Sequence, residues 1–179
     1  MMLSILSKKQ ILVFSTLLTV ILALFVILVI DPYIEGEHGA SIVTLQRSFD
    51  RNSADTVLAT WGSNAAARFN RSIWVDYLFA LVYPVALASW LLLLISKKGL
   101  LSSIYCRSSI YIALSAGLFD WIEDSMELWY INKTSELPEI FFFLHSLAAS
   151  AKFTAIVVAA LCIVILLLKK GQPAEKEIR

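Results

Sequence analysis

Four carboxylates, Asp120, Glu123, Asp124 and Glu127, recur at i, i+3, i+4 and i+7, so a helix through them carries all four on one face. Asp76, His145 and Lys152 interrupt other stretches that are otherwise apolar. Carboxylates held away from water can anchor a polar or cationic ligand, pass protons, hold a cation, or lock helices together by pairing with a base. Which of these applies depends on the elements that position them.

Those elements belong in a membrane. The chain has 179 residues, 59% of them hydrophobic and only 16% charged, with a mean hydropathy of +0.76, too apolar for a soluble domain. The expected class is all-α: a polytopic membrane protein built as a four-transmembrane-helix bundle. A net charge of +1 excludes the basic surface that a nucleic-acid partner needs, and the apolar content excludes an acidic disordered chain. Cys106 and Cys162 lack the spacing of a disulfide framework, a zinc site or a redox motif. A helix needs about 20 apolar residues to cross the hydrocarbon. Residues 11–30, 73–95 and 140–168 meet that need outright. Lys8 and Lys9 precede the first run, which is longer than a signal-peptide core and has no small-residue cleavage site after it, so a retained anchor is expected.

The acidic stretch 109–131 is the difficult one, because each charge at mid-membrane costs about 2.5–3.5 kcal/mol on insertion scales. Basic residues decide its fate. Lys8 and Lys9, then Lys97, Lys98 and Arg107, then Lys169, Lys170, Lys176 and Arg179 all mark the cytoplasmic side. An even number of crossings must follow Lys98, so 109–131 spans beside 140–168 with its acids turned inward. The expectation is a multi-pass protein of the cell membrane with both termini cytoplasmic, one domain over 1–170 and a disordered tail over 171–179.

Chain direction then assigns depth. The third span runs outward, with Asp120 near mid-membrane and Glu127 near the outer surface; the second and fourth run inward, so Asp76, His145 and Lys152 fall in the same outer half. Five acids face one certain base there, a net of −4 if all ionise. Low dielectric does not tolerate that excess, so protons, water, His145 or a bound cation must offset it. With the cytoplasmic zone at +7 and the outer zone at −2, the chain's +1 is recovered.

The outer connection 31–72 places Ile42, Leu45 and Phe49, then Val57, Leu58 and Trp61, at helical spacing, which predicts one or two amphipathic helices capping the bundle. Asp31-Pro32 and Gly36 to Gly39 are expected breaks, and Ser63 the N-cap of the next helix. Tyr83-Pro84 predicts a kink that frees backbone carbonyls. Trp74, Trp121, Trp129 and Tyr130 suit an interfacial aromatic belt or a ligand wall. Asn70-Arg71-Ser72 and Asn132-Lys133-Thr134 match the glycosylation pattern close to the membrane. No cofactor is expected: His145 alone cannot hold a haem by paired histidines, the other histidine, His38, falling in the outer loop, and no Glu-x-x-His pair exists for a di-iron bundle. No metal site is assigned, the alternative weighed being a hard cation on Asp76, Asp120 and Glu123.

Asp76-Tyr77-Leu78-Phe79 with Tyr83, Gly117-Leu118-Phe119-Asp120-Trp121-Ile122-Glu123 and Ala149-Ser150-Ala151-Lys152-Phe153 resemble the motifs of a group of small bacterial four-helix membrane proteins of unknown activity. The likeness covers roughly residues 60–155. In size, long first connection, and an acid and then a proline in the second span (Asp76, Pro84), the chain is also similar to the emopamil-binding and sigma-2 receptor type. That likeness implies a hydrophobic ligand in a carboxylate-containing cavity, although the first span here has no acid and the fourth carries Lys152.

The polar cluster expected from these readings is Asp76, Tyr77, Tyr83, Asp120, Glu123, Asp124, Glu127, His145 and Lys152, lining an outer-half cavity open to the outer side. The expected function is binding of a membrane lipid or small amphiphile. A proton- or cation-coupled pathway, and an accessory subunit with a purely structural network, are the alternatives; either a homo-oligomer or a larger membrane complex is compatible with these. If the protein is an enzyme, paired carboxyls suit an acid–base isomerisation of a hydrophobic substrate, since no serine or cysteine has a histidine nearby in sequence.

Overall fold

The computed structural model describes residues 5–36, 39–133 and 137–169. His38, Thr134 and the tail 171–179 lie outside them. The described residues are all-helical: α1 (Ile5–Phe25), a π-helical turn (Val26–Ile30), α2 (Asp31–Glu35), α3 (Ile42–Gln46), α4 (Arg51–Trp61), α5 (Ala65–Lys97), α6 (Ile104–Lys133) and α7 (Glu139–Leu168). Three stretches are long and apolar enough to cross a membrane: Gln10–Glu35, Ala65–Lys97 and Glu139–Leu168. α6 matches them in length but carries the acids.

Asp31-Pro32 is not the expected break. Pro32 stands in the first turn of α2, where its missing N–H costs little, and the π turn before it absorbs the wedge, with Asp31 N–H bonding to Val26 O. The chain turns only at Gly36, whose φ of 74° a side-chain-bearing residue would resist. Nor is Ser63 a cap: α5 starts after Asn64, which makes no side-chain cap bond. The two helices expected in the outer connection are α3 and α4, and each has a true N-cap. Ser41 Oγ accepts from Thr44 N–H, and Asp50 accepts from Ser53 N–H at 2.9 Å and Ser53 Oγ at 2.7 Å. That second pair of bonds holds the Asp50 carboxyl below its ordinary range.

The connection is stitched down. Arg68 donates to the carbonyls of Ile34 and Trp61, Trp61 Nε1 donates to Ala40 O, and Glu35 accepts from Ile42 N–H. Arg51 donates to Leu137 O and lies over the Phe142 ring, joining α4 to the start of α7.

α6 packs between α5 and α7, while α1 packs chiefly on α5. The seams are lined with small residues: Ala80 and Ala88 of α5, Ala113, Ala116 and Gly117 of α6, and Ala148, Ala149, Ala155 and Ala159 of α7. Small residues let backbones approach closely, which is how helices associate when no hydrophobic drive favours contact with a neighbour over lipid. Gly117 is the tightest point. A Cβ there would stand 2.5 Å from both Ala80 O and Pro84 Cγ. Pro84 lacks the N–H that Ala80 O would accept in a regular helix, so Gly117 packs its backbone against the carbonyl that Pro84 frees. The assigned helix nevertheless runs through Pro84 unbroken.

Candidate functional site

Three apolar layers frame the polar residues. At one end, Trp61, Phe69, Tyr130 and Phe142 join Ile34, Leu45 and Val57 in a continuous core beneath α3 and α4. Toward the other end, a thin layer of Ala80, Tyr83, Ala116 and Ala155 precedes a larger one around Leu91, Ile95 and Ala159. Between the first two lie the carboxylates.

Asp120, Glu123, Asp124 and Glu127 all face inward as their spacing dictates, and Glu123 and Asp124 are 0% exposed. α7 offers His145 and Lys152 on the stripe that also carries Ala148, Ala149 and Ala155, so close helix approach brings the bases to the acids. Lys152 Nζ lies 2.8 Å from Asp120 Oδ1 and 2.6 Å from Glu123 Oε2. His145 Nε2 lies 3.1 Å from Glu127 Oε1. Asp76, half-buried on α5, lies close enough to Asp120 and Asp124 to feel their charge. The Tyr83 hydroxyl is buried beside Asp120 without closing a hydrogen bond to it.

Acceptors outnumber donors. Both Asp124 oxygens and Glu123 Oε1 have no hydrogen-bond partner. Each unsatisfied buried polar group costs about 1–3 kcal/mol, more when charged, so the layer calls for further donors.

Two expectations need correction. Tyr77 is not part of the network: its hydroxyl pairs with Ser125 Oγ at 2.8 Å and its carbonyl accepts from Trp121 Nε1, on the outer seam of α5 and α6. Tyr130 does not join an exposed aromatic belt; it is 2% exposed and stacks edge-on against Phe142 at 4.9 Å, whereas Trp74, Trp121 and Trp129 are exposed. Tyr130 and Phe142 stand one turn beyond Glu127 and His145, so the layer is closed on the side expected to be open. Of the two glycosylation motifs, Asn70 and Asn132 use their amides on each other, reciprocally at 3.0 Å.

Two features were not anticipated. Asp31, assigned by sequence to the outer loop, stands where α2 begins and lies near Glu127 and Asp76. A groove of about 350 Å³ between α1, α5 and α7 is lined by Thr16, Thr19, Phe79, Tyr83, Trp90 and Ile156 among others. Trp90 Nε1 donates to Thr16 Oγ1 at 3.1 Å across it, and Thr19 Oγ1 is buried without a partner. The signal for this seam was present as Thr16 and Thr19 within an otherwise apolar run.

No protein-family model, curated protein or solved structure matches the chain.

Proposed function

We propose that this is a four-span membrane protein of the cell membrane, with both termini cytoplasmic, that binds a membrane lipid or small amphiphile through a head bearing a hydroxyl or ammonium donor. Exposed apolar side chains along three long helical stretches, such as Phe14, Leu28, Leu81, Val157 and Ile165, support the membrane assignment. The sealed acids of α6 support a fourth crossing, since they face α5 and α7 rather than lipid.

The observation that carries the ligand reading is Tyr83. Its ring lines the apolar groove beside α1, while its hydroxyl reaches the polar layer where acceptors lack donors. An amphiphile lying in the groove would place its tail against Val20, Phe79 and Leu87 and its head past Tyr83 toward Asp120 and Asp124, supplying the missing donors. Entry is lateral, from the membrane, because Tyr130 and Phe142 close the outer end. A proton pathway fares worse: among the described residues, α5 beyond Tyr83 and α7 beyond Lys152 offer no carboxylate, histidine or basic residue before the Lys97 and Lys169 ends.

Native mass spectrometry of the purified protein tests this. Wild type is expected to retain a bound amphiphile that is lost both in Asp120→Asn/Glu123→Gln and in the groove-filling Thr19→Trp. Absence of any bound molecule from wild type, or its retention in both variants, refutes the reading. A fall in stability alone would assign the network to helix packing.

A further inference from the structure

Beside the Lys152 pair the polar layer contains a second cluster with different chemistry. Glu123 and Glu127 stand one helical turn apart on α6, and His145 faces them from α7. One donor atom from each lies within 4.8 Å of the other two, and all three residues are buried. This set differs from the hard-cation set of Asp76, Asp120 and Glu123 that the sequence suggests.

We infer that Glu123, Glu127 and His145 form a binding site for a divalent first-row metal ion of the zinc class. Mixed imidazole and carboxylate donors suit such an ion, whereas an all-oxygen set would suit magnesium or calcium. At metal–ligand distances of about 2.0 Å the donors of a tetrahedral site stand about 3.3 Å apart. His145 Nε2 and Glu127 Oε1 are already at 3.1 Å, so only Glu123 must close in.

Glu123 points to a ligand independently of the clustering. It is fully buried, Lys152 engages only its Oε2, and Oε1 has no partner. A buried carboxylate oxygen without a donor is a vacancy in the hydrogen-bond pattern that a cation fills. Charge argues the same way: among the described residues Lys152 is the one certain base beside Asp76, Asp120, Glu123, Asp124 and Glu127, with Asp31 close by, and a dication offsets part of the remaining excess. The ion replaces the His145–Glu127 hydrogen bond and leaves Lys152 on Asp120 and Glu123 Oε2. Three protein ligands leave a coordination position for water or a ligand atom, as in open zinc sites.

The site is tested on the full chain in detergent, stripped with chelator and titrated with Zn²⁺. Wild type is expected to bind one equivalent. Loss of a mere supporting partner costs about 10–100-fold in metal affinity, so Glu127→Gln and His145→Asn are expected to weaken binding by more than about 100-fold. Thr19→Trp, which fills the proposed amphiphile groove and touches no metal ligand or its partners, is expected to leave zinc affinity within a few-fold, which separates this inference from that one. X-ray absorption of zinc-loaded wild type needs no variant to fold, and imidazole scattering with oxygen neighbours is the expected signature. Failure of wild type to bind one equivalent, wild-type affinity in both ligand variants, or a zinc shell without imidazole overturns the inference.

Discussion

Replacing Lys152 by Met removes from the polar layer the only certain cation among the described residues while keeping most of the side-chain volume. Asp120 Oδ1 at 2.8 Å and Glu123 Oε2 at 2.6 Å then lose their partner together. Breaking a buried ion pair from one side costs about 3–5 kcal/mol, because the surviving charge is stranded. For a chain of this size 1 kcal/mol moves the melting midpoint by about 2–4 °C, so a drop of about 6–20 °C is expected. Tryptophan fluorescence during heating in one detergent measures it.

The alternative account makes a smaller number. If Lys152 were one neutral-strength interhelical hydrogen bond among many, its loss would cost about 0.6 kcal/mol on average and about 1.7 at most, a shift of roughly 1–7 °C. A control separates cause from packing. Lys152→Met/Asp120→Asn/Glu123→Gln removes the stranded charges as well, so most of the loss should return, a coupling that independent sites do not show. A single variant within 2 °C of wild type, or a triple variant no better than the single, refutes the claim that Lys152 holds two ionised acids.

Gly117→Ala should destabilise by about 1–3 kcal/mol in the same melt, since its methyl has no room between Ala80 O and Pro84 Cγ; an unchanged midpoint would contradict the close approach of α5 and α6. With Cys106 and Cys162 changed to serine, Ser63→Cys should react with an impermeant maleimide in intact cells and Ser102→Cys only after permeabilisation; the reverse pattern overturns the orientation. Asp50 titrates below its ordinary 3.8 because Ser53 donates to its ionised form. Its contribution to α4 is therefore present above that value and lost as pH falls through the lower folded one. Hydrogen exchange in the first turn of α4 should stay protected at pH 3.8 and open below it; opening already at pH 5 would contradict the cap.

The carboxylate stripe was legible because helical spacing alone puts Asp120, Glu123, Asp124 and Glu127 on one face, and Lys152 was legible as their partner because chain direction puts it at their depth. Pairing was not legible. That Lys152 takes both Asp120 and Glu123, leaving His145 to Glu127, depends on the rotation of α7 about its axis, set by Ala148, Ala149 and Ala155 packing on α6. Tyr77 misled because it adjoins Asp76 in sequence, yet neighbours on a helix diverge by about 100° and it faces Ser125 instead. Tyr130 misled because an aromatic near a span end fits a belt and a cap equally well. What decides is α4, whose Trp61 covers that end, a contact between residues distant in sequence.

The same arithmetic says which wall of the groove yields. α6 is tied to α7 by the Lys152 and His145 contacts and to α5 by the Asn70–Asn132 pair and the Gly117 approach, so parting it from α7 strands a charge and parting it from α5 breaks a close seam. Among the described residues α1 meets α5 through apolar side chains and one side-chain hydrogen bond, Trp90–Thr16, worth about 0.6 kcal/mol if it behaves like the interhelical average. Its apolar face also loses little on parting, because lipid solvates it as well as protein does. α1 is therefore the least firmly held wall of the groove it forms against Tyr83, up to the turn at Val26–Ile30, beyond which Asp31 stands near Glu127 and Asp76. On the proposed reading an amphiphile enters from the side past this wall, while Lys152 and His145 hold in place the acids that receive its head.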